Sequence, residues 1–265
     1  MSITPIAAIF KRDLKLALSY RFDFIIRAFS ALFSVVLWYY LSVFLKPDKS
    51  LIGNGDYFTY VIVGMSLLSY INVMLFSFSQ KIRQDQLMGT LEYIMASPVS
   101  PSLLLFSSTI WEIVLETLHL AVFIAFALIL GANFHIGSFV ALVAIFILTL
   151  ISFGSLGIIA ASFLLVFKRG EPITPFVTAF FALLGNIFFP AQILPEPLKI
   201  LSYFIPLPYA VEGLRKVVIQ GASFSQVVAQ FNALLIFSIV LVPIAVFSLN
   251  FSLKIAKKYG LLAIY

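Results

Sequence analysis

Three ionisable side chains interrupt a long apolar stretch near the middle of the sequence. Glu112, Glu116 and His119 are spaced i, i+4 and i+7, so on a helix they lie along one face. Because a buried charge is costly unless it is paired, such a stripe indicates either a binding site or an internal polar contact. In the first interpretation, the stripe lines a pathway for a substrate through the protein, binds a cationic substrate directly, or pairs with Arg27. In the second, Glu112 sits near the inner membrane interface, and Glu116 and His119 simply bond one another between helices.

The sequence offers few residues for a metal site, a nucleotide-binding site or a catalytic nucleophile. The sequence has no cysteine and only two histidines, which excludes thiolate metal sites and leaves little for any metal centre. It also lacks the G-x-x-x-x-G-K-[ST] phosphate loop, so the chain cannot hold ATP by that route. No nucleophile motif is recognisable. We therefore expect no catalytic residue, no metal and no cofactor in this chain.

The composition indicates that these residues lie in a membrane. Hydrophobic residues make up 62% of the 265 positions and charged residues only 11%, whereas a soluble domain has about 25% charged residues. The net charge is +6, but the basic residues occur in small groups between long uncharged stretches rather than in runs suited to nucleic acid. The sequence predicts an all-α polytopic membrane protein that contacts lipid and has no nucleic-acid partner.

Six apolar stretches are long enough to span a bilayer as helices, since about 20 residues are needed. The predicted spans are residues 28–45, 57–79, 103–130, 139–167, 173–189 and 227–253. Between the fifth and sixth, residues 190–222 are apolar but contain five prolines within nineteen residues, which no single spanning helix tolerates. The sequence therefore predicts six transmembrane helices and one special segment between the last two.

The basic residues also indicate an orientation. With the N-terminus inside, twelve of the seventeen Lys and Arg residues lie at the cytoplasmic ends of the spans, a clear positive-inside bias. Both termini are then cytoplasmic, in a multi-pass protein of the cell membrane. Residues 1–21 place apolar side chains at helical spacing between basic ones, which predicts an N-terminal amphipathic interfacial helix. A plain positively charged topology anchor is the alternative.

The largest cytoplasmic loop, residues 81–102, has its own helical pattern. Residues 84–96 place apolar side chains on one face, and the pattern ends before Pro98 because the residue before proline resists helix. A compact helix that projects from two spans suits contact with a cytoplasmic partner, whereas a mere connector is usually shorter and more polar. Glu92 either pairs with a basic residue of that partner or stabilises its own helix. The candidate contact residues are Gln84, Leu87, Leu91, Glu92 and Met95.

Two stretches resemble those of ABC-2 type exporter permeases. The first is Gly89-Thr90-Leu91-Glu92 followed by Ser97-Pro98-Val99-Ser100, after the second span. The second is FFPAQILPEPLKILSYFIPLPYAVEGLR, residues 188–215, in which a Phe-Pro step, a Leu-Pro turn and a Pro-Leu-x-Tyr step lead to a Glu-Gly-Leu-Arg helix. Each motif lies at the position relative to the predicted spans that it has in that family. The loop at residues 168–171 departs from the pattern, because it carries fewer charges than relatives often have.

The resemblance implies a single transmembrane domain over residues 1–265 with the ABCG-like (type V) exporter fold. It implies a permease subunit without its own nucleotide site, served by a separate cytoplasmic ATPase that holds ATP and Mg²⁺. Residues 84–96 would be the coupling helix that docks on the ATPase, and residues 190–222 a re-entrant or interfacial helical pair on the outer side. Two permeases would face each other, as a homodimer or a heterodimer. The cargo would be amphipathic: a drug, a lipid-linked compound or a glycan.

Four further residues are weaker candidates. Asn72 in the second span and Asn186 in the fifth could line the pathway, although amides commonly join helices in membranes. By resemblance, Phe188 and Phe189 would contribute to an outer valve between the two subunits. The alternative is that they face lipid or neighbouring helices, as most of the 29 phenylalanines must.

Three functional classes follow from these observations. An ATP-driven exporter that moves cargo out of the cytoplasm or the inner leaflet by alternating access is the leading hypothesis. An ion-gradient-driven secondary transporter could use Glu112 and Glu116, but no inverted repeat is apparent. An intramembrane enzyme is the weakest hypothesis, because a histidine cluster, cysteines and a nucleophile motif are all missing.

Overall fold

The computed structural model describes residues 14, 21–45, 56–89, 101–167, 174–190 and 193–258, and the regular structure of these residues is helical. They form eight α-helices. A short 3₁₀ turn, Phe224–Val227, lies between the seventh and the eighth. The helices are α1 (Arg21–Leu45), α2 (Tyr57–Leu87), α3 (Pro101–Ile129), α4 (Phe139–Phe167), α5 (Thr174–Leu184), α6 (Glu196–Ser202), α7 (Leu207–Ile219) and α8 (Val228–Lys258).

Five of these helices are long and apolar enough to cross a membrane: α1, α2, α3, α4 and α8. They correspond to five of the six predicted spans. The remaining one, residues 173–189, is not found as a single helix. Within the described part of that segment, α5 has 11 residues, roughly 16 Å at 1.5 Å per residue, which is shorter than a bilayer core of about 30 Å, so the sixth span stays a prediction. The chain turns after Leu184 because Asn186 adopts a φ of 61°, the left-handed conformation that often ends helices.

α2 is the central helix of the described bundle. In its most apolar stretch 61% of the residues are buried, against 11% in α1 and 22% in α8. α2 lies very close to α4 because Gly157 has no side chain, and a Cβ there would meet the backbone carbonyl of Met74. The largest buried cluster continues from this contact to α5 and α7, through residues such as Ile71, Phe153 and Val211. Any displacement of α2 therefore bears directly on several other helices.

The short helices and one ordered loop lie together at one end of the bundle, which we name the capped end. This end is formed by the C-terminus of α1, the N-terminus of α2, the loop 131–138, the turn 185–190 and helices α6 and α7. Main-chain N–H groups of His135 and Gly137 donate to carbonyls in the last turn of α7, which fixes the loop against that helix. At the opposite end, named the basic end, α2 and α8 finish. The described basic residues near it include Lys81, Arg83, Lys254 and Lys258.

The proline-rich segment 190–222 contains the two short helices α6 and α7. Pro197 and Pro208 each lie in the first two positions of their helix, where the missing N–H sacrifices no helical hydrogen bond. This placement explains how five prolines coexist with helical structure. A helical pair is thus present, while its re-entrant or interfacial position in a membrane stays a prediction.

Two predicted elements fall wholly or partly outside the described residues. Within the predicted N-terminal interfacial helix, residues 1–21, only Leu14 and Arg21 are described. The predicted coupling helix, residues 84–96, begins inside α2 rather than as a separate helix, because α2 continues unbroken to Leu87. The chain then turns at Met88 and Gly89, whose φ of 66° suits glycine. Leu91, Glu92 and Met95 lie outside the described part of the chain.

Candidate functional site

The predicted ionisable stripe lies on α3, and its middle member faces other helices. Glu116 is only 6% exposed, and its Oε1 lies 3.4 Å from Nδ1 of His119. Ser69 of α2 and Arg27 of α1 both lie close enough to interact with the same carboxylate. Glu112 and His119 are half-buried. The stripe therefore joins α3 to α1 and α2, an arrangement that favours the structural interpretation of Glu116.

Neighbouring polar side chains reinforce this contact between α2 and α3. The hydroxyl of Tyr70 donates to Oγ1 of Thr117 at 2.8 Å, and the hydroxyl of Thr117 donates to the carbonyl of Ile113 at 2.7 Å. Nearer the basic end, Ser77 donates to Thr109 at 3.4 Å. Such hydroxyl contacts hold spanning helices together because lipid offers no competing partner.

Asn72 also joins two helices. Its Oδ1 accepts a hydrogen bond of 3.0 Å from the hydroxyl of Thr178, which connects α2 to α5. The structure therefore places this predicted pathway residue in the role that amides commonly have between membrane helices. Its hydrogen-bonding partner lies on α5, whereas the acidic residues of the stripe lie on α3.

The most elaborate polar site lies at the capped end, around Arg215 of α7. This side chain is only 5% exposed, yet its hydrogen bonds go to backbone carbonyls instead of a carboxylate. Nε and Nη2 donate to the carbonyl of Tyr60 at 3.1 and 2.9 Å, and Nη2 donates to the carbonyl of Ile187 at 2.7 Å. Nη1 donates to the carbonyl of Asn186. One guanidinium thus links α7, the first turn of α2 and the turn that follows α5.

The charge of Arg215 is retained despite its burial. Removal from water lowers the pKa of Arg215 to about 10, which still leaves the guanidinium protonated at neutral pH. Its Cζ lies 3.3 Å from the ring centroid of Tyr60, so a cation–π contact adds to the carbonyl bonds. Two of the three carbonyls it binds, those of Asn186 and Ile187, lie just beyond the carboxyl end of α5, where the helix dipole favours a positive charge.

The turn that Arg215 binds has two further ties to α2. The hydroxyl of Tyr60 donates to Oδ1 of Asn186 at 2.9 Å, and the hydroxyl of Tyr57 donates to the carbonyl of Phe188 at 3.2 Å. The ring of Phe188 stacks on Trp38 of α1 with a centroid distance of 4.9 Å. Asn186, a predicted pathway residue, helps to build the capped end. Phe188 and Phe189, predicted for an outer valve, are both half-buried on this same turn.

The spacing of the sequence predicts pairs from Glu212 to both Arg215 and Lys216, and only one of them forms. Nζ of Lys216 lies 2.9 Å from Oε1 of Glu212, which also accepts a bond from Gln230 of α8. Arg215 turns inward instead. The inward orientation of Arg215 had one indication in the sequence: it lies on the apolar face of α7, four residues after buried Val211.

The candidate coupling residues can be placed only in part. Gln84 and Leu87 are both exposed, in the last turn of α2 at the basic end, and Leu87 is 67% exposed. One turn earlier, Nζ of Lys81 lies 3.5 Å from Oδ1 of buried Asp85. The basic end of α2 therefore offers an exposed polar and apolar surface that continues directly into the predicted partner-binding loop.

Comparison with known protein families identifies a relationship that covers most of the chain. A model of the ABC-2 type transporter family matches residues 4–219. The matched region includes helices α1 to α7, and with them both the Glu116 stripe and the Arg215 site. A search of curated proteins found no match.

Proposed function

Because the chain belongs to the ABC-2 type transporter family, we propose that it is the membrane-spanning permease subunit of an ATP-driven exporter. The family match over residues 4–219 is the observation that carries the proposal, and the five helices of spanning length are consistent with it. A separate cytoplasmic ATPase would supply ATP and Mg²⁺, since the sequence has no phosphate-binding loop of its own. A second permease, identical or different, would complete the pathway.

The shape of α2 suits the transmission of force from such an ATPase. Its 31 residues extend roughly 46 Å, well beyond a bilayer core of about 30 Å, so one end projects from the membrane. That end carries Gln84 and Leu87 and leads into the loop that contains Glu92. The other end carries Tyr57 and Tyr60, which bind the capped end. A push on residues 84–96 would move α2 as a rigid body and shift the capped end with it.

The cargo we propose is amphipathic, such as a drug, a lipid-linked compound or a glycan, and it would leave the cytoplasm or the inner leaflet. The basic end would face the cytoplasm, in keeping with the positive-inside rule. The capped end would face outward in the cell membrane, and its turn 185–190 would contribute to an outer valve. Because Phe188 is already stacked on Trp38 of its own chain, Phe189 is the better candidate for contact across the subunit interface.

A test of this proposal starts from the tagged chain purified from its native host in mild detergent. We expect an ATPase with a phosphate-binding loop to co-purify in stoichiometric amount, and ATP hydrolysis to be detectable in the complex. Glu92→Arg should reduce ATPase recovery severalfold, because it reverses a charge in the predicted docking loop. Lys254→Gln, near the end of α8, is the matched control that changes a basic-end charge outside that loop and should leave recovery unchanged.

Two results would contradict the proposal. One is a pure, folded permease without any ATPase. The other is transport in vesicles that continues without ATP and stops when an ionophore collapses the ion gradient. The family match gives no support to gradient-driven transport.

A further inference from the structure

Arg215 makes a connection that a single salt bridge could not make. Its guanidinium donates four hydrogen bonds to three carbonyl oxygens that belong to two separate segments of backbone. The planar fork of arginine can hold such a set in fixed directions, whereas the ammonium of lysine is a compact point charge. Because the acceptors are main-chain atoms, the bonds fix the position of the backbone of the turn and not only that of a side chain.

Gly64 creates the space that this connection needs. A Cβ at position 64 would lie 2.8 Å from Nη2 of Arg215 and 3.0 Å from the carbonyl oxygen of Ile187. Any side chain there would therefore push the guanidinium or the turn away from α2. Gly64 and Arg215 lie 151 positions apart in the sequence, and each is suited to the presence of the other.

The turn held in this way carries Asn186, Phe188 and Phe189 at the capped end. Asn186 has a left-handed φ and is bonded to Tyr60, and Phe188 is bonded through its carbonyl to Tyr57. Every one of these ties leads to the first turn of α2. α5, the helix that precedes the turn, is short, and the side-chain hydrogen bond described between it and α2 is the one from Thr178 to Asn72. The turn itself is therefore tied to α2 by more hydrogen bonds than α5 is.

We propose that Arg215 is a positioning residue that locks the turn 185–190 to the start of α2, so that Phe189 moves with α2 and not independently of it. In this proposal Arg215 has no contact with cargo. Its role is to couple the proposed outer valve at the capped end to α2. The valve then opens and closes when α2 moves in response to a push at its basic end. The proposal rests on the exporter function proposed above, but the geometry of the lock can be tested without an ATPase.

The direct test measures how accessible the turn is. The chain has no cysteine, so Phe189→Cys provides a single thiol that a membrane-impermeant maleimide can label. The permease alone, in a lipid nanodisc, should label slowly. Adding Arg215→Lys should raise the labelling rate roughly tenfold, because the lost hydrogen bonds no longer hold the turn closed. Tyr60→Phe keeps the aromatic ring but removes the bond to Asn186, and should give a smaller increase.

Lys216→Ala is the matched control, because it removes a neighbouring positive charge on the same helix. Among the described residues, that charge pairs with the partly exposed Glu212. This substitution should leave the labelling rate unchanged. The proposal is overturned if Arg215→Lys and Tyr60→Phe both label like the parent, or if Lys216→Ala labels as fast as Arg215→Lys. Should Arg215→Lys not fold, Tyr60→Phe alone decides between these outcomes.

A second measurement separates positioning from simple stability. In the reconstituted complex with its ATPase, Arg215→Lys should lower the amount of cargo moved per ATP hydrolysed at least severalfold, while ATPase recovery stays normal. A residue with a merely structural role would lower transport and hydrolysis together and leave their ratio unchanged. If no ATPase is found, the proposed exporter function is contradicted. The labelling result still tests whether Arg215 holds the turn 185–190 against α2.

Discussion

The polar stripe of α3 and the Arg215 site both contain a buried charged group, and they satisfy it in different ways. Glu116 is surrounded by side chains, with His119 on its own helix and Ser69 and Arg27 on two others. Arg215 binds backbone carbonyls and the face of Tyr60. Side-chain partners can change rotamer and keep a contact as helices shift. Carbonyl partners cannot, because they move only when the backbone moves.

This difference teaches what each region can do. The Glu116 stripe can hold α1, α2 and α3 together while tolerating small movements between them. The Arg215 site fixes the turn 185–190 against α2 and transmits movement. A buried charge without a carboxylate partner is also less replaceable, because each carbonyl left behind is an unsatisfied acceptor in an apolar surrounding. We therefore expect substitutions at the two sites to differ in size and in kind.

Arg215→Ala should have the largest effect. It leaves the carbonyls of Asn186 and Ile187 without their donor and opens a cavity beside Tyr60, which should cost about 3–4 kcal/mol. The midpoint of thermal unfolding in detergent should fall by roughly 6–12 °C. A fall as small as that of a surface substitution would show that the carbonyl bonds contribute little.

Glu116→Gln should have a smaller effect, about 1–2 kcal/mol, because the amide can keep part of the contact with Ser69. Transport and folded yield should then decrease in proportion, as for a structural residue. The measurement is transport activity divided by the amount of folded permease recovered. A normal yield with strongly reduced transport would restore the interpretation of the stripe as part of the pathway.

Gly64→Ala should be destabilising by about 1 kcal/mol, although alanine is the better helix former. The new Cβ meets Nη2 of Arg215 and the carbonyl of Ile187, which outweighs a helix-propensity gain of about 1 kcal/mol. Gly154→Ala is the control, since a Cβ there meets only the sulfur of Met74 at 3.8 Å. Thermal unfolding should show a lower midpoint for Gly64→Ala and an equal or higher one for Gly154→Ala.

Lys216→Ala should have the smallest effect, below about 0.5 kcal/mol. Its partner Glu212 is 47% exposed in its side chain, and such surface pairs contribute little because water and salt screen them. The contrast with the adjacent Arg215 is the sharpest form of the comparison. Equal losses of unfolding midpoint for Lys216→Ala and Arg215→Ala would contradict the distinction between surface and buried charge.

Much of the fold could be predicted from hydrophobic patterns. Five of the predicted spans correspond to described helices that are long and apolar enough to cross a membrane, because such a helix needs a long run of apolar side chains, which is visible in any linear sequence. The predicted span 173–189 stays a prediction, since α5 is the helix that the structure describes within it. It is apolar enough, but its helix ends at Leu184, and the left-handed Asn186 that follows gives no hydropathy signal.

The sites were less predictable than the spans. The i, i+4, i+7 spacing placed Glu112, Glu116 and His119 on one face correctly, since helical geometry fixes it. It could not tell whether that face meets a pathway or other helices. The same spacing rule favoured Glu212 as the partner of Arg215, and there tertiary contacts prevailed. Asn72 and Asn186 were recognised as unusual, but their partners Thr178 and Tyr60 were not.

The sequence by itself determined that this is a helical membrane protein of the ABC-2 type, because composition, apolar run length and two local motifs are properties of the linear chain. Only the tertiary structure decided that Arg215 is buried, that Gly64 makes room for it and that the turn 185–190 is tied to α2. The physical reason is the nature of the acceptors. Backbone carbonyls are the same at every residue, so no letter in the sequence marks the ones that a distant arginine will bind.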